Sequence, residues 1–173
     1  GPAAYAALGS TDLSTASPKA MRLVRFHSLH DGAEVWRKRG ELDWLLDVFD
    51  APDLDVRARS GQVIRQHVAR AFGAHGWAMD FKIDPRSNLT VTAKNGDLAF
   101  QIQTGNIGRA AYDLLKLQHL FLAERVEAVA LALPTKDAAT IIGSNIANGD
   151  RIWAEAQLFR RQITAPLVIV EFE

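Results

Sequence analysis

The 173-residue chain has no cysteine. Disulfides and thiolate metal sites are therefore excluded, and thiol usage says nothing about compartment. Net charge is also lacking: 20 Lys and Arg balance 20 Asp and Glu, which argues against a generic polybasic nucleic-acid binder. No apolar run approaches the roughly 18 residues that a membrane span needs. The first residues show no basic-then-apolar leader pattern. The expectation is a cytoplasmic protein with no membrane contact. Gly-x-Gly-x-x-Gly, the P-loop and Gly-x-Ser-x-Gly are all missing, so nucleotide-binding and hydrolase readings have no motif behind them. No small-molecule substrate is expected. The five histidines (His27, His30, His67, His75, His119) contain no pair at the i, i+4 spacing of a helical zinc site.

What is present is an ordinary globular composition, 48% hydrophobic and 23% charged, long enough for one domain with its own core. Arginine outnumbers lysine 14 to 6. Arginine is the better fork for phosphates and guanine edges, but a GC-rich coding sequence gives the same bias. Residues 1–18 are rich in Ala, Gly, Ser and Thr and read as a flexible arm, with Gly1-Pro2 as a scar of protease processing. Residues 19–173 read as a single domain.

Periodicity orders that domain. Met21 to Leu29 alternates as a short strand, and Ala33 to Phe49 reads as an amphipathic helix that Gly40 kinks. Ala51-Pro52-Asp53 ends it. A second helix runs from about Val56 to Ala74, with Arg57, Arg59, Arg65 and Arg70 on its outer surface, a solvated face first and a phosphate grip second. Trp77 to Ile83, Leu89 to Lys94 and Asp97 to Gln103 form a three-stranded meander. A helix from Ile107 to Glu124, a buried parallel strand from Val126 to Leu133, helices over 137–143 and 150–162, and a last strand from Ala165 to Phe172 follow. The fold class is α/β: a mixed central sheet flanked by helices on both faces.

The hairpin is the most informative segment. Asn95-Gly96 between alternating strands predicts a two-residue turn, which would set Thr90 opposite Gln101. By period-two alternation Thr90, Thr92, Ala99, Gln101 and Gln103 share one face, and Val91, Leu98, Phe100 and Ile102 point to the core. Arg109 lies one turn inside the following helix, where its guanidinium and the helix dipole can hold a backbone phosphate. Asp113 to Lys116 is an i, i+3 pair on a solvated face in the plainer reading.

Gln101-Ile102-Gln103, the turn Thr104-Gly105-Asn106, Arg109 and the run Asp113-Leu114-Leu115-Lys116-Leu117 resemble the core of BglII/BamHI-type restriction endonucleases, within the PD-(D/E)XK nuclease fold. The likeness runs from about Val56 to the C-terminus, with a weaker echo in the N-terminal helix. It implies a restriction-endonuclease-like fold, duplex DNA as partner, and a homodimer to which the helix after the hairpin contributes. Gln103 falls on the family's Glu-x-Gln position, Gln101 on its Glu, and Thr92 or Thr90 on its metal-binding Asp. Neutral amides and hydroxyls hold a hard cation far more weakly than carboxylates. The implied protein is a DNA binder without catalytic residues and without a cofactor, its degenerate positions being Thr90, Thr92, Gln101 and Gln103. Arg109, Lys116, Asn106, Lys94 and Arg86 are expected to face DNA. Asp84 is the one substitute metal ligand to consider, because Asp97 lies roughly 13 Å from Gln101 along an extended strand. Two alternatives remain open: a Mg-dependent type II endonuclease with an engineered substitution, and a nuclease-derived protein–protein interaction module.

Overall fold

The computed structural model of the protein describes residues 19–173, so the arm expected over 1–18 lies outside the described residues. The elements are β1 (Lys19–Met21), β2 (Leu23–Leu29), α1 (Gly32–Lys38), α2 (Leu42–Asp47), β3 (Ala51–Val56), α3 (Gly61–Ala74), β4 (Ala78–Lys82), β5 (Thr90–Asn95), β6 (Leu98–Ile102), a 3-10 turn (Ile107–Arg109), α4 (Ala110–Leu122), β7 (Ala128–Pro134), α5 (Lys136–Ile142), α6 (Gly149–Leu158) and β8 (Leu167–Phe172). Six strands make one mixed sheet in the order β2-β8-β7-β6-β5-β4, parallel only at β6–β7 and β7–β8. β1 and β3 pair separately.

The sheet is covered on both faces, and β7 shows why. Its sequence alternates small and large. Ala128, Ala130 and Ala132 turn to one face, where Trp36, Phe49, Phe72, Phe100 and Phe172 take up the space that the alanines leave. Val129, Leu131 and Leu133 turn to the other, packing on Leu114, Leu117 and Leu120 of α4 and Ile152 and Ala156 of α6. α1, α2, α3 and α5 cover the aromatic side. Phe72 stacks on Phe100 at 4.2 Å between centroids, and cutting back a buried ring of this kind typically costs about 3–5 kcal/mol.

Three expectations are corrected. The helix read over Ala33 to Phe49 is two, α1 and α2, because Gly40 sits at φ 71 and breaks the helix instead of kinking it. Ala51-Pro52-Asp53 does not merely terminate a helix but opens β3, and α3 accordingly begins at Gly61, not Val56. Pro52 is tolerated in a strand of a two-stranded ribbon, where an edge is open. The hairpin register is displaced by two residues: Asn95 pairs with Leu98 and Ala93 with Phe100, so the loop is Gly96-Asp97. Asp97 is held outside the ladder by Arg39 at 2.7 Å, and its carbonyl accepts from Glu127 N–H at 2.7 Å. A shift of two by itself keeps each side chain on its face, but Val91, expected beside Leu98, Phe100 and Ile102, packs on the other face with Ala99 and the leucines of α4. The shift brings Thr92, not Thr90, level with Gln101.

A buried acid anchors the other edge. Glu171 on β8 has no exposed side chain; His27 Nε2 lies 2.5 Å and Arg25 Nη1 3.1 Å from its carboxylate. The His27 ring stacks on Trp153 of α6 at 4.7 Å. Gly149, the first residue of α6, passes so close that a Cβ there would lie 2.2 Å from Glu171 Cγ. Burial pushes the Glu171 carboxyl above its usual range against the pull of His27.

Candidate functional site

β5 and β6 part company beyond Ala93 and Phe100, and side chains take the place of ladder bonds. Thr92 N–H donates to Gln101 Oε1 at 2.9 Å, and Ile102 N–H donates to Thr92 Oγ1 at 3.1 Å. Both backbone donors would otherwise be orphaned in a half-buried gap, so the neutral polar residues at this point have a structural reason to be there. On its other side β6 continues in parallel with β7 through Gln101 and Ile102.

The amide groups of Gln101 and Gln103 turn to one acceptor. Gln101 Nε2 donates to Asp113 Oδ1 at 3.2 Å and Gln103 Nε2 to Asp113 Oδ2 at 2.5 Å. Gln103 Oε1 accepts from Gly105 N–H at 2.8 Å. Lys116 Nζ stands 3.2 Å from Asp113 and donates to the Thr90 carbonyl at 2.7 Å. Asp113 is only 3% exposed. Burial raises its carboxyl above the usual value, opposed by the Gln103 hydrogen bond and the charge of Lys116. This carboxylate is the centre of the network, and the sequence reading placed it on a solvated face. The signal was available: α4 buries Ala110, Asp113, Leu114, Leu117 and Leu120, so position 113 lies in the core-facing rows of the helix.

The network forms one wall of an open cleft of about 480 Å³ between α3 and the meander. Gln62, Arg65 and Gln66 of α3 line it opposite Asp80, Thr90 and Thr92. β4 and β5 pair Met79 with Ala93 and Phe81 with Val91, which sets Asp80 level with Thr92. Asp80, Thr92 and Gln101 thus form a row across three strands. Asp80 adopts a φ of 49, a left-handed backbone in the middle of a strand. Such a conformation is uncommon for a residue with a side chain, although Asp accepts it better than most. Neither Asp80 nor the α3 glutamines were singled out from the sequence. A second cleft, about 510 Å³, lies on the far flank of α3 beside β3 and does not reach this row.

The other expected residues separate. Arg109 is exposed beside the turn, close enough that a Cβ on Gly105 would lie 3.7 Å from its Nη1, and its charge bears on Asp113. Asn106 caps the 3-10 turn, its Oδ1 accepting from Gly108 N–H at 2.7 Å. Arg65 Nη1 donates to Thr104 Oγ1 at 2.6 Å, tying α3 to the same turn. Arg86 and Asp84 pair with each other on the β4–β5 turn, and Arg86 holds the Asp84 carboxyl down to about 2. Lys94 sits at the opposite end of β5, where its Nζ donates to the Gly96 carbonyl at 2.7 Å and lies 5.2 Å from the Phe81 ring centroid. Among the described residues, no group of three or more His, Asp or Glu is placed to hold a metal ion.

Residues 24–171 match the family model described as restriction endonuclease BglII/BglIII. The chain belongs to this family. The match reaches back to residue 24, well before the Val56 from which the resemblance was read. Two solved structures share the fold. A structure of BglII complexed with a DNA 16-mer superposes with a TM-score of 0.57 at 8% identity, over 64% of this chain and 55% of that one. Free BglII gives 0.55 at 11% identity, over 85% of this chain and 77% of that one. No curated protein matches. The mixed sheet of this chain, flanked by helices, is a restriction-endonuclease-like fold, and no helix among its described residues is long and apolar enough to cross a membrane.

Proposed function

We propose that the protein binds duplex DNA as a homodimer and does not cleave it. One observation carries the second half. The buried carboxylate of Asp113 is committed inward, to the amides of Gln101 and Gln103 and to the Lys116 ammonium. The Mg²⁺ chemistry of the family asks for converging, open carboxylate oxygens. Here the Gln101 carbonyl oxygen is occupied by Thr92, the Gln103 oxygen by Gly105, and the Asp84 oxygens by Arg86. Asp80 is the one free carboxylate in the row among the described residues, and with the neighbouring oxygens spent the donor set does not fit a hard divalent cation.

Duplex DNA is the partner favoured by the family and by BglII, whose complex holds a DNA 16-mer. Arg109, Asn106 and Arg86 lie exposed at the end of the sheet where the row of Asp80, Thr92 and Gln101 opens, and we assign them to backbone contacts. Lys116 serves first as the counter-charge of Asp113. Lys94, at the far end of the hairpin, would meet only an extended duplex. Dimerisation is favoured by α4: Tyr112, Leu115 and Leu122 are 49%, 60% and 66% exposed and, with His119, recur along one helical stripe. Apolar side chains left exposed along one helix face favour such an interface.

The decisive experiment combines an electrophoretic shift with a cleavage assay on one duplex pool containing Mg²⁺ or Mn²⁺. A shift without nicking is expected. Nicking would restore the endonuclease reading, and in that case Gln101→Glu with Thr92→Asp should raise activity further. Absence of any shift would leave a protein–protein module as the better account.

A further inference from the structure

The cleft between α3 and β4 carries polar groups that the Asp113 network does not use. Gln62 and Gln66 lie four residues apart on the cleft-facing side of α3, both exposed, and neither side chain has a hydrogen bond among the described residues. Residues at that spacing stand about 5–6 Å apart on one helix face. Arg65 lies between them with one guanidinium nitrogen given to Thr104. Across the cleft stands Asp80, exposed, held at φ 49, and without an ion pair among the described residues.

This set of groups suits one kind of ligand. A backbone phosphate entering the cleft would meet the negative charge of Asp80, while the cations beside it are engaged, Arg65 with Thr104 and Lys116 with Asp113 and the Thr90 carbonyl, and the amides of Gln101 and Gln103 are already spent. A base edge meets the reverse. The Gln amide presents an acceptor and a donor side by side, matching adenine N6 and N7, and a carboxylate accepts from an exocyclic amino group of cytosine or adenine. Ala69 and Met79 supply an apolar surface beside these groups.

We propose that this cleft reads base edges: Gln62 and Gln66 recognise adenine, and Asp80 accepts from the amino group of a neighbouring base. The proposal rests on the DNA-binding reading above and adds to it the residues that give sequence preference.

The test is binding-site selection from a randomised duplex pool with the full chain, compared with Gln62→Ala/Gln66→Ala and Asp80→Asn. These positions are exposed, so each variant should melt close to the parent protein. The parent should enrich a motif containing adenine, and the double variant should lose about tenfold or more of its discrimination at those positions with its salt dependence unchanged. Asp80→Asn should lose preference at an adjacent position without binding all sequences more tightly. An unchanged motif in the double variant overturns the proposal. So does uniform weakening with a shallower salt slope, or uniform tightening of Asp80→Asn, because each is the signature of a phosphate in the cleft. If the parent retains no duplex at all, the DNA-binding reading fails first, and that result is distinct from retention without a Gln-dependent motif.

Discussion

Gln103 and Asp113 meet at 2.5 Å, the amide of the third meander strand donating to a carboxylate on the helix that follows it. Here the helix supplies the acid and the strand supplies neutral donors.

Asp113→Asn tests how much the fold depends on that contact. The asparagine keeps one acceptor where three donors converge, and its own amide would face another amide. Leaving such groups buried and unpaired, with Lys116 stripped of its counter-charge, should cost about 2–4 kcal/mol. Urea denaturation monitored by circular dichroism measures it. A midpoint within error of the parent would mean that the network contributes nothing to stability.

Asp113 and Asp84 pull the pH dependence in opposite directions. Burial raises the Asp113 carboxyl. The folded state therefore holds that proton more readily than the unfolded chain, and its contribution is fully present below the ordinary carboxylate value and lost as pH rises through the raised one. Asp84 behaves oppositely: Arg86 lowers it from 3.8 to about 2, so its contribution exists above 3.8 and disappears as pH falls toward 2. That pair is exposed and its contribution should shrink with added salt. Denaturation midpoints from pH 2 to 7 should show the advantage of the parent over Asp113→Asn diminishing as pH rises above the carboxylate range. An advantage that grows with pH would reverse the assignment.

Arg109→Ala should weaken duplex binding at all sequences and lower the log–log salt slope by about one. Binding isotherms at several salt concentrations report both quantities. An unaltered slope removes Arg109 from the backbone contacts.

Leu115→Asp places a charge in the middle of the α4 stripe without touching the core, since Leu115 is 60% exposed. Sedimentation equilibrium should show the parent as a dimer and the variant as a monomer with unchanged circular dichroism. A parent that sediments as a monomer at tens of micromolar would remove the homodimer.

Much of this architecture was legible in the residues. Near-continuous apolar runs in β7 and β8, helical spacing in α3 and α4, and the Gln101-x-Gln103 spacing with its Gly105-Asn106 turn were enough to reach the family. The missing parts share a cause. β3 contains Pro52 and three acidic neighbours within seven residues, so local propensity opposes the strand, and only pairing with β1 stabilises it. The register moved because Arg39 and Glu127, distant in sequence, hold Asp97 in the loop. Asp113 was misplaced because an acid beside a lysine four residues after an arginine reads as surface pairing. Its amide partners lie on β6 and just past its end, where chain order gives no hint of the contact.

The gap between β5 and β6 gives the molecule an unusual dependence. Here the backbone N–H groups of Thr92 and Ile102 are taken by two side chains, Gln101 and Thr92, in place of a strand partner. The shape of this surface is thus written in replaceable groups, and a lineage could remodel what it grips by exchanging a threonine or a glutamine while every helix and strand stays in place.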